Sequence, residues 1–306
     1  MIEKLSWAAT KAISLLRTLV ALDARLDEIQ FAQGAIMTQL ALNRQGTRLS
    51  DFEFKVFSQW GEDGIIQKLI RHIDIPNKAF IEFGVQDFRE SNCRFLLMHN
   101  NWQGLVIDAS SKHIAAIRKS SLAWRHHLDA ICEFIDRDNI NELLARGNFG
   151  DDIGILSIDI DGVDYWILGA ITHCKPRILI VEFNSVFGAE RPITVPYDPG
   201  FVRTEKHHSN LYFGASLAAF HHNVTRRGYS LVGTNSAGSN AFFVRNDQMA
   251  NCPFPALSVK EAFVTSMVRE AKDKEGNLTL LSGDDRLTAI RGLPVVNVVT
   301  GETETL

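Results

Sequence analysis

The sequence predicts an α/β protein: a mostly parallel sheet that ends in an antiparallel hairpin, preceded by a long heptad-patterned helix. Three observations carry that prediction. From about residue 52 to 248, short apolar runs alternate with helix-length segments, the pattern of βαβ units whose strands are covered on both faces. Between 229 and 247, two apolar runs flank a Gly/Ser/Asn turn, which reads as a hairpin. Near the start, Leu15, Leu22, Ile29 and Ile36 recur every seven residues, interleaved with Leu19, Leu26, Gln33 and Leu40. That is coiled-coil spacing.

Taken in order, residues 5–42 form one helix with no internal proline, and Gly46 is a plausible stop. Its apolar stripe has two main readings: self-association through a helical bundle, or an amphipathic helix lying on its own domain. An interfacial membrane helix is a third, weakened by a polar face that mixes Asp23, Arg25, Asp27 and Glu28 instead of being basic. Strands are predicted in AFIEFGV (79–85), GLVIDAS (104–110), LDAICEFI (128–135), GILSIDID (154–161) and RILIVEFN (177–184), with helices over 61–73, 111–120, 138–146 and 163–173. After residue 255 a charged helix over 258–273 and a frayed polar end are expected. The divisions are thus 1–50, 51–250 and 251–306.

The chain has 306 residues, 45% hydrophobic and 22% charged, an ordinary globular composition. A net charge of −4 argues against a large nucleic-acid-binding face. Cys93, Cys132, Cys174 and Cys252 match neither a CxxC metal site nor a disulfide framework, so free thiols and a cytoplasmic location are expected. Lys4, Lys11 and Arg17 interrupt the apolar N-terminus, which leaves no secretory signal and no membrane span.

Ligands of open parallel sheets bind at the carboxyl ends of the strands. The first strand carries Glu82 and Gly84 there, and the second ends at Asp108. An acid at that position is a ribose-hydroxyl acceptor in nucleoside-binding folds; the alternative is a cap for the helix that follows. On the fourth strand, alternation puts Asp159 and Asp161 on one face, and on the fifth Glu182 shares a face with Asn184. Such an all-oxygen set suits Mg²⁺, Ca²⁺ or Mn²⁺ better than zinc. The alternative is capping by Asp161 or Asp164 of the helix that begins near Val163. His207 and His208, in the long connection after the fifth strand, are candidate general bases because imidazole titrates near neutrality.

In order, SQWGEDGIIQKLI, FIEFGVQDFRESN, GLVIDAS, LSIDIDGVDYWI, PRILIVEFN, VPYD, YFGASL and GYSLVGTNSAGSNAFFVRND resemble the FkbM-type methyltransferases, in particular those of bacterial surface-polysaccharide clusters. The resemblance covers residues 52–248 and implies a class I, Rossmann-like S-adenosylmethionine-dependent fold. It implies cofactor contacts from Gln59, Glu82, Gly84, Asn92, Asp108, Ala109 and Asp159. It further implies metal ligation by Asp161, Glu182 and Asn184, with Mg²⁺ or Mn²⁺ as the ion and Asp161 near the chemistry. The expected acceptor is a carbohydrate or nucleotide sugar, and the N-terminal helix becomes an accessory homo-oligomerisation element. EFGVQDF departs from the common class I pattern by lacking the second and third glycines.

Two other functions fit parts of the sequence. Asp-Ile-Asp resembles the DxD of metal-dependent glycosyltransferases, and a non-catalytic assembly protein would use the heptads to recruit partners on a methyltransferase fold.

Overall fold

The computed structural model describes residues 2–306; within the first helix, side chains are described at 10, 11, 13–16, 18, 22 and from 25 onward. Helix α1 (Ile2–Leu42) runs unbroken, as the absence of proline predicts. It docks on the domain through Phe31, Gly34, Thr38 and Ala41, a face distinct from the heptad stripe. Gly34 is required there, because a β-carbon would meet Val56 at 2.5 Å. Phe31 meets Phe95 edge-on at 6.2 Å, and Asp27 pairs with Arg94 at 2.7 Å. The heptad positions Leu15, Leu22, Leu26, Ile29, Ile36 and Leu40 face solvent, with Ile29 and Ile36 each 63% exposed. Leu19 and Asp23 have side chains outside the described residues. The helix thus docks on its own domain and also leaves the described part of its heptad stripe uncovered.

The remaining helices are α2 (Glu62–His72), α3 (Arg94–Asn100), α4 (Ser111–Lys119), α5 (Leu122–Arg125), α6 (Ile140–Ala145), α7 (Asp164–Ala170), α8 (Arg203–Lys206), α9 (Leu217–Thr225), α10 (Val259–Ala262) and α11 (Asp284–Ala289). The strands are β1 (Ala79–Phe83), β2 (Gln103–Asp108), β3 (Leu128–Cys132), β4 (Ile155–Ile158), β5 (Ile178–Glu182), β6 (Ile193–Thr194), β7 (Tyr229–Thr234), β8 (Asn240–Arg245), β9 (Pro294–Asn297) and β10 (Thr303–Thr305).

Seven strands form one sheet in the order β3-β2-β1-β4-β5-β8-β7. The first five are parallel; β8 runs antiparallel to both β5 and β7, as the hairpin reading requires. Alternation along each strand feeds two cores. Ile81, Leu105, Leu156 and Leu179 pack with α6, α7 and α9, while Phe80, Val106, Ile155 and Ile180 pack with α2, α3 and α4. The order reverses between β1 and β4, and a reversal of this kind opens a crevice at the strand ends. This order with its reversed edge is that of the class I methyltransferase fold, as the resemblance implies.

The tail departs from the expected helix over 258–273. Only α10 forms, started by a reciprocal Ser258–Glu261 capping box. Beyond it the chain stays extended because neighbouring loops take its backbone groups: Ser266 N–H donates to Ser185 Oγ at 2.9 Å and Met267 N–H to the Ala237 carbonyl at 3.2 Å. Tertiary partners override helix propensity here. The polar end is not frayed either. β10 pairs with β9, β9 with β6, and Glu304 meets Arg191 at 2.8 Å.

All four cysteines are free thiols, with Cys93 and Cys174 buried. Among the described residues no helix is long and apolar enough to cross a membrane.

Candidate active site

The carboxyl ends of β1, β2 and β4 converge on Gly84. Its φ is +71°, and an added β-carbon would sit 1.6 Å from the Asp159 carbonyl oxygen. Only glycine allows that approach. Gly84 N–H donates to the Ile107 carbonyl at 3.0 Å, which ties the three strand ends together.

Asp108 accepts from Gln86 N–H and from Ser110 N–H, each at 2.8 Å. It is not the cap of α4: Ser110 fills that role, its hydroxyl accepting from His113 N–H at 3.3 Å. A carboxylate has about four lone-pair sites, so Asp108 keeps acceptor capacity facing the cleft. Beside it lies a cavity of about 190 Å³ lined by Gly84, Gln86, Asp108, Ala109, Phe134 and Asp159, among others. A second cavity of about 350 Å³ shares Gly84, Gln86, Asp159 and Asp161 with the first, and extends past Glu182 to Ser185, Arg203 and Arg286. The two form one cleft across the β1–β4 switch point.

Glu82, Asn92 and Gln59 line the larger cavity, but Glu82 faces inward. Its carboxylate accepts from Ser91 Oγ at 2.5 Å, Asn92 N–H at 2.8 Å and Cys93 N–H at 3.1 Å. It brackets the turn before α3, which corrects the expectation of an open cofactor ligand. Burial raises its pKa against those hydrogen bonds. Asn92 in turn donates to Ser157 Oγ at 3.1 Å.

The acids of β4 and β5 do meet: Asp159, Asp161 and Glu182 each place an oxygen within 4.8 Å of the others. Strand parity is not the whole reason. β4 ends at Ile158, and Asp161 lies in a left-handed conformation, φ +56°. The turn is held by Asp164, 1% exposed, which accepts from Ile160 N–H at 2.8 Å and Gly162 N–H at 2.9 Å. Asp164 therefore clamps the preceding loop. Burial, followed by repulsion from neighbouring acids, pushes Asp159 and Glu182 far above the ordinary carboxylate range. Among the described residues Glu182 Oε2 has no hydrogen-bond partner.

Three expected participants have other partners. Asn184 is a structural latch: its amide donates to the Leu211 carbonyl at 2.9 Å and the Phe213 carbonyl at 3.0 Å, and its oxygen takes Val186 N–H at 3.0 Å. Its amide hydrogens are spent, while its oxygen carries one hydrogen bond and keeps one further lone pair. His207 and His208 pack on each other at 4.1 Å, His207 is hydrogen-bonded to Ser209 Oγ at 2.7 Å, and neither lines the cleft. They are not placed as general bases.

The basic group at the acids is Arg203, from the same long connection. It donates to Asp161 and Glu270 and to the Asn210 carbonyl at 2.7 Å, and its guanidinium stacks on Phe213 at 3.6 Å. Burial lowers its pKa, but the surrounding carboxylates win and hold it above the ordinary arginine value. Trp60, Phe134, Glu270 and Arg286 also line the cleft without having been singled out by sequence. Only an arginine in an acid-facing loop could have signalled Arg203.

No protein-family model matches the chain, and no curated protein does. Among solved structures, 57% of the chain is similar to 52% of the pyocyanin biosynthetic protein PhzM (14% identity, TM-score 0.35). The chain thus spans about half of that protein's length. It is also similar, over 60% of its length and 90% of the other's, to an S-adenosylmethionine-dependent methyltransferase from Clostridium acetobutylicum (10% identity, TM-score 0.39). A third similarity, over 54% of this chain and 72% of the other, is to the O-methyltransferase from Bacillus cereus in complex with SAH (14% identity, TM-score 0.32).

Proposed function

We propose that the protein is a cytoplasmic S-adenosylmethionine-dependent O-methyltransferase acting on a carbohydrate hydroxyl, assisted by Mg²⁺ or Mn²⁺. The observation that carries this reading is the single cleft at the β1–β4 switch point: a nucleoside-sized half beside Gly84 and Asp108 runs into a carboxylate half at Asp159, Asp161 and Glu182.

The cofactor fits the first half. Gly84 allows close backbone approach, Asp108 faces the cavity as a ribose-hydroxyl acceptor, and Phe134, 45% exposed, offers an aromatic face. A divalent cation fits the second half, because three carboxylates lie within 4.8 Å and Glu182 Oε2 is unpartnered among the described residues. The ligands are then Asp159, Asp161 and Glu182. When bound, such an ion lowers the pKa of a coordinated hydroxyl. Asp164 fixes the loop that presents Asp161, and Arg203 holds Asp161 and Glu270 in place. Exclusion of water from the cleft and alignment of hydroxyl and methyl supply the rest of the rate.

The test is calorimetric titration with S-adenosylhomocysteine, with and without Mn²⁺. Micromolar binding that Asp108→Ala weakens at least tenfold is expected. No heat at millimolar concentration, with UDP- or GDP-sugars binding instead, overturns the reading in favour of a glycosyltransferase.

The uncovered heptad stripe of α1 supports self-association with a second copy of this chain, with Gln33 as the polar position that sets register. Sedimentation should show an oligomer that Ile29→Glu with Ile36→Glu converts to monomer. A wild-type monomer at tens of micromolar rules this out.

A further inference from the structure

Arg286 lines the larger cavity and not the one beside Asp108, and is only 3% exposed. Five other arginines have partners. Arg94 has Asp27, Arg177 and Arg245 share Asp152, and Arg203 has Asp161 and Glu270. Arg227 has the Leu168 and Ile171 carbonyls at the end of α7, where a cation meets the negative end of the helix dipole. Arg286 has one weak partner, the Val268 carbonyl at 3.3 Å, and its Nε has none among the described residues. Glu270 is near, but its charge is engaged by Arg203.

A guanidinium buried without a carboxylate is costly and invites an anion into the space beside it. A planar guanidinium fits two anionic oxygens at once. Ser185 lines the same cavity, and its Oγ accepts from Ser266 N–H at 2.9 Å, which leaves its own hydroxyl proton to donate.

We infer that Arg286, with Ser185, is a subsite for an anionic oxygen group, phosphate or carboxylate, carried by the acceptor. This rests on the methyltransferase reading for the word acceptor, but the anion site itself does not. Arg286 lies outside the cofactor half of the cleft, so the anion belongs to the molecule that receives the methyl group. The subsite makes the acceptor a sugar phosphate, nucleotide sugar or sugar acid in place of a neutral sugar.

The experiment uses the full chain in EDTA and follows thermal melting in about 20 mM inorganic phosphate or acetate against chloride at equal ionic strength, where a millimolar site shifts the melting point by a few degrees. A shift is expected in phosphate, acetate or both, and whichever is larger names the group. Arg286→Gln should lose most of the shift, Arg286→Lys keep part of it, and Glu270→Gln enlarge it by removing a competing charge. S-adenosylhomocysteine binding should be unchanged in Arg286→Gln, so failure of the methyltransferase reading shows separately from failure of the anion site. If Arg286→Gln does not fold, the Glu270→Gln comparison decides. Equal melting in phosphate, acetate and chloride, or equal shifts in wild type and Arg286→Gln, overturns the inference.

Discussion

Replacing Asp164 by alanine removes two hydrogen bonds that a 1%-exposed carboxylate accepts, from Ile160 N–H at 2.8 Å and Gly162 N–H at 2.9 Å. Each backbone N–H left buried and unpaired costs about 1–3 kcal/mol. Against this, the substitution removes a buried carboxylate whose pKa is raised mainly by that burial, which recovers part of the loss. The orphaned donors win, for a net destabilisation of about 2–4 kcal/mol, and at about 2 °C per kcal/mol the melting point should fall by roughly 4–8 °C. Asp164→Asn should fall between, since one amide oxygen can serve only part of the clamp. The loop that holds Asp161 at φ +56° relaxes with it, so Mn²⁺ binding should weaken more than tenfold. Urea unfolding and Mn²⁺ titration read the two effects separately. An Asp164→Ala protein within about 0.5 kcal/mol of wild type, with Mn²⁺ binding intact, would refute the clamp.

Three further outcomes follow from the same geometry. Gly84→Ala must place a β-carbon 1.6 Å from the Asp159 carbonyl and adopt a positive φ that itself costs about 1–2 kcal/mol; it should melt well below wild type and lose S-adenosylhomocysteine binding, and wild-type melting would show that no close approach exists. Asp159 and Glu182 have raised folded pKa values, so in EDTA their contribution to stability is present at acid pH and is lost as pH rises from the ordinary carboxylate range through the raised values. Two unit charges no more than 4.8 Å apart repel by at least about 3 kcal/mol at an effective dielectric near 20, so Glu182→Gln should flatten that decline; an unchanged pH profile would contradict it. His207→Ala and His208→Ala, being off the cleft, should keep methyl transfer within about threefold of wild type, and a loss beyond a hundredfold would restore a histidine base.

The sheet was legible because its strands are buried on both faces. Runs such as RILIVEFN need no partner to be recognised, and the Gly/Ser/Asn turn at 235–239 announced the hairpin. The convergence of Asp159, Asp161 and Glu182 was legible for a reason only partly right: parity aimed β4 and β5, but Asp161 arrives through a left-handed turn. Asn184 shows the limit of residue type as evidence. An amide suits a metal and suits two carbonyls equally well, and only the structure shows that its nitrogen serves Leu211 and Phe213. Arg203 and Arg286 were illegible because they come from short helices, of 4 and 6 residues, which hold too few turns for a periodicity to fix where a side chain points. The segment 263–272 misled because its local propensity is helical while its backbone partners belong to distant loops.

The contact between Gly84 and the Asp159 carbonyl joins the two halves of the cleft at one point. Gly84 and Asp159 each line both cavities. The two halves therefore share a wall at this contact. By reciprocity, whatever factor occupancy of the carboxylate half adds to nucleoside affinity, the nucleoside adds to occupancy of the carboxylate half. A substitution at Gly84 or Asp159 therefore bears on both halves of the cleft at once.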